Sequence, residues 1–322
     1  MEFEFEKSLQ PLRDEIAQLE TKRLKGDGVA SSTIATLKRK LNTEAARIYA
    51  NLSPWDTVQV ARHPGRPTIM QYTQKMCDEF IELHGDRVFG DDKAMVGGFA
   101  RIGEQRFMLI GHRKGLTVEE SIEYNFGMAN PEGYRKALRL MKLAEAWGLP
   151  VVTMVDTSGA FPGLEAEARG QAEAIGRNLM EMACLETPIV TIITGEGGSG
   201  GALGIAVGDR ILMLEYAVYS VISPEGCASI LWRDGSKAVE AAKALRITSK
   251  DLAELHVIDG IIPEPTGGAH TNVDLTISNV RSAVMEQLTA LSGITGSKLV
   301  ENRYKKFTAL GRFEHTKPAA KK

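Results

Sequence analysis

At 322 residues, 43% of them hydrophobic and 25% charged, the chain is long enough to bury one large core or two ordinary ones, and it reads as a globular protein. A formal net charge of -2 at pH 7 argues against the broad basic footprint that nucleic acid or an anionic membrane would require. Cys77, Cys184 and Cys227 are far apart and form no C-x-x-C pair, so neither a disulfide framework nor a zinc site is expected, only reduced thiols in or near the core. The opening MEFEFEKSLQ is acidic with no apolar h-region, and runs such as VVTMV and IVTII fall far short of the ~18 residues of a membrane span. A cytoplasmic location is the resulting expectation.

In chain order, Phe5, Leu9, Leu12, Ile16 and Leu19 step by four and three, and Ile34, Leu37, Leu41, Ile48 and Leu52 continue a similar stripe. The spacing predicts an antiparallel helical hairpin over residues 1–55, broken at Gly26 and Gly28, with Ser31, Ser32 or Thr33 capping its second arm. Two readings stay open for it: a docking element for a partner chain, or a hairpin folded onto its own body. The body, residues 56–296, alternates strands and helices. VGGFARI and RFMLIGH flank Gly103-Glu104 as a hairpin, and a helix follows with Asn130 at its N-cap, Pro131 at its first position and Gly148 past its end. The strand VVTMV (151–155) leads through DTSGAFPG into a helix expected over 165–185, and the strand IVTII (189–193) leads into TGEGGSGGA. The strands ILML and VYSVI come next, then SPEGCASILW, which is expected to pack behind the second glycine loop with Cys227 buried. This pattern predicts an α/β protein with mainly parallel strands. Residues 297–322 are expected to form a C-terminal helix and a flexible basic tail.

Gly195-x-Gly197-x-x-Gly200, placed after a strand and with Glu215 further on, matches a dinucleotide fingerprint superficially. The crossover helix, however, has room for only about two turns before Ile211, which is short for a Rossmann unit. A second glycine loop, DTSGAFPG, lies one strand and helix earlier. Two loops that each follow a strand and open a helix suit another use, in which glycine lets successive backbone N–H groups converge on one oxygen. Such an oxyanion hole can contribute roughly 3–4 kcal/mol per donor to a transition state that places charge there. No side-chain base is evident beside Ser158 or Ser199, and His112 reads as a structural or hydrogen-bonding residue. A hydratase of the crotonase type would need a carboxylate just after Gly201, where Ala202 and Leu203 stand.

The loops together with NFGMANPEGYRKALRLM and YSVISPEGCASILW resemble the alpha subunits of bacterial acetyl-CoA carboxylase carboxyltransferase over nearly the whole chain. Thr194 stands where that family has Ile. The resemblance implies a crotonase/ClpP-like core of repeated ββα units behind the N-terminal helical hairpin. It also implies transfer of CO2 from carboxybiotin, carried on a separate biotin carboxyl carrier protein, to acetyl-CoA. The product would be malonyl-CoA, in the first committed step of fatty acid biosynthesis. By the same resemblance, Gly200 and Gly201 supply the backbone oxyanion hole on the biotin side, with Gly197, Gly198 and Ala202 adjacent. The facing loop brings Gly159, Ala160 and Phe161, whose carbonyl is a candidate acceptor for a biotin N–H. Arg113 and Lys114 are candidates for a CoA phosphate or the carrier protein, with a solvated basic turn as the alternative. Zinc is expected in the beta subunit and no metal in this chain, which would act only in an alpha2beta2 assembly alongside biotin carboxylase. A crotonase-type hydratase or isomerase and an NAD-dependent dehydrogenase remain as alternatives.

Overall fold

A computed structural model describes residues 3–25 and 31–311. The helical preface comprises α1 (Gln10–Leu24) and α2 (Ser31–Tyr49). Ile16 and Ile34, both from the expected stripes, are buried, and Lys38 pairs with Glu20 across the hairpin at 2.7 Å. The root of the hairpin is seated on the body, where Phe3 and Tyr49 pack with Val60 and Tyr216. Gly26 and Gly28 lie outside the described residues, whereas Ser31, Ser32 and Thr33 lie within the first turn of α2 itself.

Next come α3 (Pro54–Ala61), α4 (Ile69–Met76) and the strands β1 (Glu79–Glu82), β2 (Met95–Ile102) and β3 (Gln105–His112). They lead to α5 (Val118–Glu123), α6 (Pro131–Ala146), β4 (Val151–Thr157), α7 (Leu164–Ala168) and α8 (Gln171–Cys184). β5 (Ile189–Gly198), α9 (Ser199–Leu203), β6 (Arg210–Leu214), β7 (Val218–Ser220) and α10 (Pro224–Trp232) follow. The remaining elements are α11 (Ala238–Leu245), α12 (Ser249–Glu254), β8 (Gly260–Ile262), α13 (Val273–Leu291) and α14 (Gly296–Thr308). Among these described residues no helix is long and apolar enough to cross a membrane.

The strands form one mixed sheet in the order β1-β2-β3-β4-β5-β6-β8, with β7 paired to β5. β1, β2 and β3 are antiparallel, and from β3 onward every pair is parallel. β4 and β5 are covered on both faces, which is why they read as nearly unbroken apolar runs rather than alternating ones. The short polar exception is Thr153, whose hydroxyl meets that of Thr191 at 2.9 Å between the two strands.

Several boundaries differ from expectation for local reasons. The single helix expected over 165–185 is two, because Gly170 takes φ 84°, a left-handed conformation that glycine adopts without penalty. β5 runs five residues beyond Ile193, so Gly195, Gly197 and Gly198 lie in strand rather than loop. Glu196–Gly198 pair with Val218–Ser220, and that pairing also ends β7 at Ser220 rather than Ile222. Asn130 does hold the N-cap of α6, but its side chain makes no cap bond; its N–H donates to Asp92 Oδ2 at 2.7 Å instead. Cys227 is buried and Cys77 half-buried, whereas Cys184 is exposed at the end of α8. α14 is anchored by Arg303, 1% exposed, which donates to Asp209 and to the carbonyls of Met182, Leu185 and Thr187. The basic tail beyond residue 311 lies outside the described residues.

Candidate active site

β4 and β5 run side by side in register from Val151 and Ile189 to Val155 and Ile193, so both carboxyl ends open at one edge of the core. This is where an open parallel sheet presents ligand sites. The first loop is tied by Thr157, whose hydroxyl donates to the Gly159 carbonyl at 2.7 Å and accepts the Gly159 N–H at 3.2 Å. The second follows β5 through Ser199, whose φ of 51° is costly for a residue with a Cβ and turns the strand abruptly into α9. The two loops meet main chain to main chain. A Cβ on Gly198 would land on the Ser158 carbonyl, and one on Gly201 would lie 2.5 Å from the Ala160 nitrogen. Gly200 is different, since its nearest neighbour would be Ile175 Cγ2 at 3.7 Å, an ordinary contact.

Between them lies an open cleft of about 540 Å³, lined by Gly159, Ala160, Phe161, Gln171, Ile175, Ser199, Gly200 and Gly201 among others. The amides at the start of α9 have no carbonyl a turn earlier with which to bond inside the helix, so they are chemically available as donors. On the opposite wall the Phe161 N–H donates to the Ala129 carbonyl at 3.1 Å, and the Phe161 carbonyl accepts from Gln171 Nε2 at 3.0 Å. That carbonyl retains a second lone pair. Ala202 is fully buried behind the wall, and Gly197 and Gly198 lie beside it, facing Arg62 and Ser223. The carboxylate among the lining residues is Glu167, exposed on α7.

A run of ion pairs lies behind the loops. Lys114 Nζ stands 2.7 Å from Asp156 Oδ1 and 3.2 Å from Glu196 Oε2. Arg62 continues the run, from Glu196 at 2.7 Å to Glu225 on α10 at 2.5 Å. Burial works against the Lys114 ammonium, but the Asp156 and Glu196 carboxylates outweigh it and hold its pKa above the ordinary lysine value. Burial likewise raises Glu196, and Lys114 and Arg62 reverse that to leave it below the ordinary carboxylate range. Deeper still, Arg66 is buried with Glu264 at 2.7 Å and donates to the Thr194 carbonyl at 2.8 Å, fixing β5 just before its glycines.

Lys114 is thus no solvated basic turn. Arg113 lies over the Tyr124 ring at 3.9 Å and donates to its hydroxyl at 2.7 Å, so neither basic side chain lines the cleft. His112 is buried beside the Gly201 main chain, and burial next to the Lys114 charge pushes its pKa down to about 3. A neutral imidazole results. Arg135, Lys136 and Arg139 on α6 hold the 84–92 segment through Asp86, Asp91 and the carbonyls of His84 and Gly85, rather than forming an exposed charged face. Only the first turn of α10 approaches the loops, through Glu225, while Cys227 packs with Ala228 and Ala241. Glu215, which a dinucleotide site would want free, accepts the Glu264 N–H at 3.3 Å. Sequence reading missed Gln171 and the Asp156–Glu196 pair. The signal available was the acid directly before each glycine loop, in VDTSG and TGEGG.

Residues 2–311 match a family model described as acetyl co-enzyme A carboxylase carboxyltransferase-like. The chain is 53% identical to the acetyl-coenzyme A carboxylase carboxyl transferase subunit alpha of Geobacter metallireducens, over 97% of this chain and 98% of that one. It is 49% identical to the subunit so named from Halalkalibacterium halodurans, over 99% and 98%. Among solved structures, transcarboxylase 12S with methylmalonyl-coenzyme A bound superposes with a TM-score of 0.56 at 16% identity, over 84% of this chain. The beta subunit of P. aeruginosa geranyl-CoA carboxylase gives 0.53 at 17% identity, over 77% of this chain. The chain spans about half the length of these two structures, 48% and 45%. At such identities they speak for the fold, an α/β crotonase-like core.

Proposed function

The chain belongs to the acetyl-CoA carboxylase carboxyltransferase alpha-subunit family, and on that premise we propose that its two glycine loops form the biotin-side half of a carboxyltransferase active site. The observation that carries this reading is the packing of Gly201 against the Gly159–Ala160 backbone, which makes two loops from different strands into one wall of donors and acceptors. A ureido group, with one oxygen and two N–H groups in a plane, suits that wall. The amides of Gly200 and Gly201 would donate to the oxygen, and the free lone pair of the Phe161 carbonyl would accept an N–H.

Carboxybiotin, when bound, supplies the CO2 and, once that has left, a place for the proton removed from the methyl of acetyl-CoA. This chain's part is to stabilise charge and hold position. Donors fixed in advance cost no reorganisation as charge develops, and each is worth roughly 3–4 kcal/mol. Correct placement of two reactants can contribute about 7–11 kcal/mol more. The fully buried Ala202 methyl at the position where a hydratase would carry its acid supports carboxyl transfer over hydration. The five-residue α9 and the engaged Glu215 speak against a dinucleotide site.

The full unit is an alpha2beta2 assembly in the cytoplasm, in which a beta subunit brings a zinc ribbon and most contacts to acetyl-CoA. The biotin carboxyl carrier protein and biotin carboxylase complete the system. Co-purification with a partner carrying a four-cysteine zinc ribbon, followed by assay with carboxybiotin and acetyl-CoA, tests the reading. Malonyl-CoA should form only when both chains are present. Hydration of crotonyl-CoA or binding of NAD by the isolated chain would overturn it.

A further inference from the structure

Lys114 leaves the end of β3 and places one ammonium between two carboxylates, each of which directly precedes a glycine loop. Asp156 is followed by Thr157-Ser158-Gly159, and Glu196 by Gly197 through Gly201. The two acids also touch without the lysine, because Asp156 Oδ1 accepts the Glu196 N–H at 3.0 Å. A Cβ at Gly195 would strike that same carboxylate, so the approach of the strands at this point depends on glycine. Without Lys114, two largely buried acids, 15% and 13% exposed, would face each other across the seam where the loops diverge, with Arg62 at 2.7 Å left on Glu196 and, among the described residues, no ion pair left on Asp156. Like charges that close repel, and relief comes from protonation of one acid or movement of one strand end, either of which alters the seam.

The geometry points to Lys114 as a positioning residue, an ionic clasp that holds the two glycine loops at the spacing that the oxyanion wall needs, rather than a binder of CoA phosphate. This rests on the proposed location of that wall. The clasp touches no substrate, because its ammonium is already occupied on both sides. Its effect reaches the reacting atoms through Asp156 and Glu196, one residue from Thr157 and Gly197. Misplacement of about 1 Å in such a wall can cost on the order of 100-fold in turnover.

The test uses the complete alpha and beta assembly and compares Lys114→Met, Lys114→Arg, Asp156→Asn and the double variant Lys114→Met/Asp156→Asn, with Gly201→Val as a control. The readouts are kcat and KM for malonyl-CoA in carboxyl transfer to free biotin. Lys114→Met should lower kcat by about 100-fold while KM for malonyl-CoA moves less than about threefold. The double variant, which removes the repelling charge with the cation, should recover at least about tenfold of that loss, a non-additivity expected only for partners in one network. Lys114→Arg, which keeps the cation, should recover activity as well. A raised KM with kcat preserved, or a double variant no better than Lys114→Met, would overturn the clasp and return Lys114 to phosphate binding. If Lys114→Met does not assemble, Asp156→Asn and Lys114→Arg decide instead. The clasp predicts that both keep most of the activity, and loss of about 100-fold in Lys114→Arg together with a raised KM contradicts it. Should Gly201→Val retain full activity, the wall itself is misplaced, an outcome separate from failure of the clasp.

Discussion

The two glycine loops stand side by side but are held by different forces. The loop after β5 is fixed by shape: strand pairing with β7 extends to Gly198, and the main chain at Gly198 and Gly201 lies against Ser158–Ala160 with no room for a side chain. The loop after β4 is fixed by hydrogen bonds, from the Thr157 hydroxyl to Gly159, from Phe161 to Ala129, and from Gln171 to both Phe161 and Ala129. One loop therefore fails when an atom is added, the other when a donor is removed. The contrast explains how a wall made of backbone can be held rigid from two sides.

The largest effect on activity should come from adding an atom at the contact. Gly201→Ala must push Gly159 and Ala160 aside, and turnover in the assembled enzyme should fall by about 100-fold or more, the scale of a lost oxyanion donor. Gly200→Ala, which would add only an ordinary contact with Ile175, should cost far less, and an equal loss at both positions would refute the steric side of the comparison. Next comes Gln171→Ala, which strips the donor from the Phe161 and Ala129 carbonyls. The Ala129 carbonyl keeps the Phe161 N–H, so the main loss is the bond to the Phe161 carbonyl, about 0.5–1.5 kcal/mol, and a fall of up to roughly tenfold in kcat, read by steady-state kinetics, is expected.

A stability measurement separates this site from its support. Burial pushes His112 down to about 3 and His270 to about 4, against 6.5 for a free imidazole. The unfolded chain takes up these protons as pH falls below 6.5 and the folded one does not, so folding stability should decline with acidification from there toward about pH 4. Asp92 works the other way, since burial raises it to about 6 and the folded state then binds its proton first. The net slope in urea melts should flatten in His112→Gln. A steeper slope would show that the ring is charged in the folded chain. The smallest effect is expected at Glu167 on the rim of the cleft, where Glu167→Gln should alter turnover far less than the ~10²-fold that a lost general base costs.

The close meeting of the two loops was legible from residues 157–163 and 195–203, because backbones that approach this closely need glycine. Gly170 was passed over inside a helical pattern, since a lone glycine among helix formers gives no sign of the left-handed turn it adopts. The extension of β5 through three glycines was illegible for the opposite reason: strand propensity argues against glycine, and it is pairing with β7, and at Gly197 with Thr157 of β4, that holds it extended. Lys114 reads as a candidate for a CoA phosphate or the carrier protein, or as part of a solvated basic turn, because GHRKG carries no mark of the two acids that reach it from 42 and 82 positions further along the chain. Long-range ion pairs of this kind have no local sequence signature.

The most direct measurement is a structure of the assembled enzyme with biotin bound. The account predicts the ureido oxygen within hydrogen-bond distance, about 2.7–3.2 Å, of the Gly200 and Gly201 nitrogens, with a biotin N–H on the Phe161 carbonyl. Biotin seated elsewhere, or those two amides bonded to protein carbonyls with the ligand in place, would contradict it.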